Sequence, residues 1–162
     1  MPEIERVGYI PGIIGKITEL HGTYYDYYWD MGVGFEARVA SGLADFFSRF
    51  DPTRDGMWIL RADGQIVGAL AIDGIAADDK GARLRWFIIE PQHQGLGLGD
   101  RMFKEALGFC KKLGFRKIYL TTFAGLDAAR HLYEKAGFSL VEEKEGNHWG
   151  KIVIEQVFEL DL

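Results

Sequence analysis

The chain has 162 residues, about one ordinary domain, and 48% of them are hydrophobic, enough to bury a core rather than stay disordered. Its 24 acidic residues outnumber 19 lysines and arginines, and the resulting net charge of −5 argues against a nucleic-acid binder, which needs surplus cations for phosphates. The lone Cys110 cannot form an internal disulfide or, alone, a zinc site; no apolar run approaches the ~20 residues of a membrane helix. The start Met1-Pro2-Glu3-Ile4-Glu5-Arg6 lacks a basic segment followed by an apolar one, so a cytoplasmic location without membrane attachment is expected.

In chain order, Ile13, Ile14, Ile17 and Leu20 recur at helical spacing over 11–28. The aromatic cluster Tyr24-Tyr25-Asp26-Tyr27-Tyr28-Trp29-Asp30 follows, and Phe35, Val39, Leu43, Phe46, Phe47 and Phe50 form one stripe of a second helix over 35–50, ended by Asp51-Pro52. Strands are predicted over 57–62 and 65–72, joined by Asp63-Gly64, a two-residue hairpin signal. A third strand runs over 82–89 and is dense in Trp86, Phe87, Ile88 and Ile89.

Beyond Pro91 the periodicity changes. Leu98, Met102, Ala106, Cys110 and Leu113 define one face of a helix, with Arg101, Lys104, Glu105, Lys111 and Lys112 on its other faces and Gly114 as terminator. A strand over 117–122, a short helix over 127–136 stopped by Gly137, and two strands over 138–143 and 152–160 complete the order. The strand–helix–strand passage through Gly97 demands a crossover and hence a parallel pair. A single layered α/β domain spanning 1–162 is expected, with a mixed, mostly antiparallel sheet of six to seven strands and about four helices.

The turn Gln94-Gly95-Leu96-Gly97-Leu98-Gly99 lies between a strand and a helix. The first amides of a helix lack internal partners and carry the positive end of its dipole, while glycines open the backbone to a ligand. Such a turn can cradle a phosphate or pyrophosphate, or simply connect two elements. It lacks the Gly-Lys-Ser/Thr of a P-loop, and Asp100 occupies the last position of a G-x-G-x-x-G fingerprint. It does satisfy Gln/Arg-x-x-Gly-x-Gly/Ala, through Gln94, Gly97 and Gly99.

The run Arg85-Trp86-Phe87-Ile88-Ile89-Glu90-Pro91-Gln92-His93-Gln94-Gly95-Leu96-Gly97-Leu98-Gly99 resembles the fourth strand and pyrophosphate loop of the GNAT superfamily of N-acetyltransferases. Ala129-Arg130-His131-Leu132-Tyr133-Glu134-Lys135-Ala136-Gly137-Phe138 resembles that superfamily's later motif, in the same order and at the same separation. The sequence further resembles the acetyltransferase half of bacterial proteins that join a MarR-type DNA-binding domain to a GNAT domain, though no such DNA-binding segment is recognised in it.

The resemblance implies an acyl-CoA N-acyltransferase fold whose strands over 82–89 and 117–122 splay apart to admit a pantetheine arm. It implies acetyl-CoA as co-substrate, no metal, and a small-molecule or peptide amine as acceptor. Backbone groups of Phe87, Ile88 and Ile89 would bond pantetheine. Gln94 and the amides of Gly95, Leu96, Gly97, Leu98, Gly99 and Asp100 would hold the pyrophosphate, with the Asp100 carboxylate turned away. Tyr133 would protonate the departing thiolate, and Glu90 is the leading candidate for a general base, ahead of Asp73 and His93. Leu126 stands where many relatives carry an asparagine that bonds pantetheine. The acceptor pocket would draw on the Tyr24–Trp29 cluster, Phe35, Glu36 and Trp149, where Asp26, Asp30 and Glu36 would suit a cationic or aromatic amine. Homodimers are common in the superfamily. A non-catalytic CoA-binding sensor on the same fold is the alternative.

Overall fold

The computed structural model describes residues 2–162. Seven strands form one sheet in the order β1-β2-β3-β4-β5-β7-β6: β1 (Glu3–Val7), β2 (Gly56–Ala62), β3 (Gln65–Asp73), β4 (Ala82–Ile89), β5 (Lys117–Phe123), β6 (Ser139–Gly146) and β7 (Val153–Asp161). Helices α1 (Ile13–Trp29) and α2 (Gly32–Ser48) precede β2, α3 (Leu98–Lys112) joins β4 to β5, and α4 (Asp127–Ala136) follows β5. Every neighbouring pair is antiparallel except β4 and β5, which run parallel as the α3 crossover requires.

The two-residue periodicity of the strands divides the core between the two faces of the sheet. On one face Leu60, Leu70, Leu84, Ile118, Leu120 and Phe158 meet the apolar stripe of α3 — Leu98, Met102, Phe103, Ala106 and Cys110 — together with Tyr133 and Phe138. On the other, Met57, Ile59, Ala69, Ala71, Ile88 and Phe123 meet α1 and α2 through Ile13, Ile17, Phe35, Val39, Leu43 and Phe46.

The Asp63-Gly64 turn behaves as its chemistry dictates. Both residues take positive φ, 50° and 77°, the left-handed pair that a type I′ hairpin needs. Sequence periodicity misses β1, an edge strand whose Glu3, Ile4, Glu5, Arg6 and Val7 pair with Arg61 through Met57 of β2. Its few residues and three charges mask the alternation, the usual dress of a strand edge that must not recruit other chains. Helix α2 begins at Gly32, three residues before the aromatic stripe starts.

Asp73, at the end of β3, is the electrostatic tie between α2 and the sheet. Arg49 donates to it through both Nη atoms, at 3.0 and 2.8 Å, and Arg85 of β4 adds Nη1 at 3.0 Å. Burial alone would raise the Asp73 carboxyl, but the Arg49 fork, the Ile75 amide and Arg85 hold it below the ordinary carboxylate range. With its charge spent on two guanidinium groups, Asp73 is a structural anion and not a general base. Among the described residues no helix is long and apolar enough to cross a membrane, and no three potential metal ligands cluster.

Asp73→Ala leaves the partly buried Arg85 without a counter-ion and Arg49 with only the exposed Asp45. We expect it to lower unfolding stability by about 2–4 kcal/mol, measured as a drop in the urea midpoint at unchanged m-value. Asp73→Asn should cost less, since its amide oxygen can still accept one of the donors.

Candidate active site

The site begins with a failure of strand pairing. Strands β4 and β5 share only two register pairs, Ala82 with Ile118 and Arg83 with Tyr119, and then separate. Divergence coincides with a bulge in β4: Ala69 faces Ile88 while Ala71 faces Arg85, so Trp86 and Phe87 together oppose Leu70. Trp86 carries the strain of that extra residue, at φ 50°. A large aromatic in the left-handed region is costly and persists only where its surroundings over-determine it. Here Arg85 lies over the indole at 4.1 Å and Phe46 packs against it edge-on.

Between the separated strands lies a cavity of about 460 Å³. Tyr133, Thr122 and Phe87 line it from the α3 and α4 side; Tyr25, Phe35 and Trp149 line it from the side of α1, α2 and the β6–β7 loop. That loop is pinned by Lys151, whose Nζ donates to the Trp29 carbonyl at the end of α1 at 2.7 Å. Trp149 stacks edge-on against Phe123.

Beyond the bulge, the β3–β4 ladder determines which backbone groups remain available. The Glu90 amide donates to Val67 at 2.8 Å. By the alternation of antiparallel pairs, Ile88 also turns its amide and carbonyl toward β3, whereas Ile89 turns toward the gap. The Ile89 carbonyl there accepts Gln94 Nε2 at 2.8 Å. Gln94 thus ties the glycine turn to the end of β4 through its side chain, and Ile88 has little backbone to spare for a ligand.

The three glycines of the turn act for two reasons. Gly95 and Gly97 adopt φ 78° and 76°, and an added Cβ at either would meet nothing, so backbone conformation is what requires them. Gly99 has ordinary helical dihedrals, but a Cβ there would lie 2.9 Å from Leu132 and 3.2 Å from Phe87, so close packing of α3 on α4 and β4 requires it. Gly97 is the N-cap of α3, no side chain caps that end, and the first helical bond runs from Arg101 to Gly97. The amides of Leu98, Gly99 and Asp100 are therefore free of helical partners, at the positive end of the dipole. Asp100 would oppose an anion there, but its carboxylate is drawn to Lys104 at 3.2 Å and Lys135 at 3.5 Å, and Lys104 foremost holds it below the usual range.

Tyr133 is buried, its ring packed on Phe103, Phe138 and Phe158 and its hydroxyl beside Thr122. Burial pushes the phenol up to about 12, against a smaller opposite pull from Thr122, so it stays protonated throughout the physiological range. Glu90 stands apart from the cavity lining: it accepts Gln92 Nε2 at 3.2 Å and lies 3.6 Å from His93. Besides Tyr133, imidazole and guanidinium groups that were not singled out by sequence line the cavity. They are His21, His148 and the arginines Arg38, Arg83 and Arg85. His21 donates Nδ1–H to the Ile17 carbonyl at 2.9 Å, and its burial lowers the imidazole to about 4, so it is neutral. Glu36, Asp26 and Asp30 are absent from the lining, whereas Leu126 contributes its side chain to it. Cys110 is fully buried on the apolar stripe of α3, and desolvation pushes its thiol up to about 12.

A splayed parallel pair and an uncapped helix start thus adjoin one cavity-forming gap in the sheet. The model of the acetyltransferase (GNAT) family matches residues 16–138, and the chain belongs to that family. YjgM of Escherichia coli K12, an uncharacterised N-acetyltransferase, is 25% identical over 101 residues, covering 62% of this chain and 60% of YjgM. Matches to the curated relatives span between 28% and 60% of their lengths. Among solved structures, yncA of Salmonella typhimurium, described with its cofactor acetyl-CoA, is 14% identical with a TM-score of 0.73, over 99% of this chain and 94% of that one. Spermidine N-acetyltransferase of Vibrio cholerae, in complex with CoA and spermine, is 20% identical with a TM-score of 0.73, over 98% and 95%. At these identities the structural likeness establishes the fold.

The two kinds of glycine separate experimentally. Gly97→Val forces a β-branched residue into the left-handed region at the open helix start, and is expected to weaken acetyl-CoA binding at least tenfold by calorimetry. Gly99→Val is expected to lower the melting temperature more than Gly97→Val does, through collision with Leu132 and Phe87.

Proposed function

We propose that the chain transfers an acetyl group from acetyl-CoA to a primary amine, by direct attack within a ternary complex. The observation that carries this reading is the opening between β4 and β5, with the Tyr133 hydroxyl on one side and the glycine turn with its unpartnered amides nearby. The amides of Leu98, Gly99 and Asp100 suit a pyrophosphate. The gap has the form needed by a thin pantetheine tail, with β4 backbone at its edge to polarise a thioester carbonyl.

In this mechanism the neutral amine nitrogen attacks the acetyl carbonyl, the carbon–sulfur bond breaks, and the sulfur leaves with its electron pair. Tyr133, protonated and facing the cavity, supplies a proton to that sulfur and recovers one from the acceptor nitrogen through solvent. Cys110 takes no part: a buried thiol so reluctant to ionise is a poor nucleophile, which favours direct attack over an acetyl-cysteine intermediate. Glu90, outside the lining, is not needed as the base.

Acetyl-CoA consumption with release of free thiol in the presence of an amine tests the reaction, and donor binding without thiol release across a broad amine panel would instead support a CoA-sensing role. Tyr133→Phe is expected to cut kcat about 10- to 100-fold with little change in acetyl-CoA affinity, whereas Cys110→Ala should keep kcat within a few-fold. The pH profile of kcat/KM should rise as the acceptor ammonium deprotonates. It should show no descending limb from Tyr133 below about pH 11, because loss of the phenolic proton is centred near 12.

A further inference from the structure

The charge inside the acceptor half of the cavity has a sign opposite to that of the protein as a whole. Arg38 of α2 and Arg83 and Arg85 of β4 reach the lining, and no aspartate or glutamate does. Arg85 is already engaged: its Nη1 donates to Asp73 and its guanidinium rests on Trp86. Asp73 is shared with Arg49, which Asp45 also pairs at 3.0 Å, so these two guanidinium groups meet two carboxylates and the unpaired positive charge rests with Arg83 and Arg38. Arg83 donates through Nη2 to Thr121 Oγ1 at 3.1 Å, and its Nε is buried with no acceptor. Among the described residues neither Arg83 nor Arg38 forms an ion pair. A buried N–H of a permanent cation left without an acceptor is uncommon in a finished protein and marks a place where an anion completes the structure.

A neighbouring depression of about 300 Å³ under β6 and β7 shares Arg83 and contains Glu142 and Glu155. Neither reaches Arg83 within ion-pair distance, and Glu155 instead accepts the His148 amide at 2.7 Å. The rest of the acceptor half is aromatic, through Tyr25, Phe35, Trp86, Phe123 and Trp149.

We infer that the acceptor is an amino acid, an amine bearing a carboxylate and an apolar or aromatic side group, with Arg83 and Arg38 receiving the carboxylate and the aromatic wall receiving the side group. This rests on the acetyl-transfer reading above and narrows it. Guanidinium groups take carboxylates with paired, directional hydrogen bonds, and the same positive field disfavours a polycation. A polyamine acceptor such as spermidine, the substrate named for the Vibrio cholerae neighbour, is therefore a poor match for this lining.

The test is thiol release from acetyl-CoA with phenylalanine and tryptophan, compared with their decarboxylated counterparts phenethylamine and tryptamine and with spermidine. The amino acids should exceed the decarboxylated amines in kcat/KM by roughly 10- to 100-fold, the range of a charge-assisted contact. Arg83→Gln and Arg38→Gln should each shrink that ratio, and Arg83→Lys should retain part of it. Arg38 is exposed, so its replacement does not threaten folding, and melting curves verify Arg83→Gln. Preference for phenethylamine, tryptamine or spermidine, a ratio untouched by both glutamine variants, or no turnover of either amino acid overturns the inference. Turnover of the plain amines alone would leave acetyl transfer standing while removing this acceptor, whereas failure to bind acetyl-CoA would remove both.

Discussion

The structure depends on a sheet that stops being a sheet halfway along one pair of strands. Parallel pairing between β4 and β5 extends over Ala82 and Arg83 on one side and Ile118 and Tyr119 on the other, and the remaining lengths diverge. Divergence exposes strand-edge amides and carbonyls that would otherwise bond across, and such groups are expensive to bury unpaired. The chain limits the cost locally: Ile88 and Glu90 turn their backbone groups to β3 rather than to the gap, and Gln94 covers the gap-facing Ile89 carbonyl. What remains open is the stretch beside the Trp86 bulge. The rest of the sheet and both helical layers, packed on either face, hold that stretch open and give it two distinct walls.

Those walls have different chemistry because they descend from opposite faces of the same strands. Leu84 and Leu120 point to the α3 side, where Tyr133 closes the core beneath the gap; Arg83, Arg85 and Thr121 point to the side of α1 and α2. Alternation of period two along β4 thus separates an apolar flank, to which Tyr133 and Thr122 add two hydroxyls, from a cationic flank lined with aromatics. A donor arriving over the glycine turn and an acceptor arriving past α2 would meet at the level of the bulge without competing for the same wall. The buried Tyr133 phenol is held protonated by the same desolvation that packs its ring.

Much of this was legible in the residues. The Asp63-Gly64 hairpin, the stripe of α3, the crossover and the glycine turn are local signals, each set by dihedral preference or by helical and strand periods over a few residues. The less legible parts depend on long-range juxtaposition. The bulge at Trp86 has no sequence signature, since an indole at positive φ is what local propensity would forbid. Gly99 reads as part of a phosphate motif, yet its immediate constraint is Leu132 on another helix. Glu90 follows a strand that borders the site, but one residue of alternation and the turn at Pro91 carry it toward Gln92 and His93. Strand β1 was too short and too charged to announce itself.

The charge lining the cavity illustrates the limit most sharply. A net charge of −5 and the acidic residues among the aromatics of α1 suggest affinity for cations. Net charge is a sum over the surface, and solvent screens most of it within a Debye length of about 8–10 Å. A ligand in a cavity feels most strongly the charges that line it. Asp26, Asp30 and Glu36 fall outside the lining, while β4 delivers Arg83 and Arg85 at alternate positions and α2 adds Arg38. Asp73 and Asp45 pair Arg85 and Arg49 between them, so the excess lies with Arg83 and Arg38. The two β4 arginines owe their place in the lining to the parity of one strand, and a shift of β4 by a single residue against its neighbours would exchange them for Leu84, leaving only Arg38 of α2.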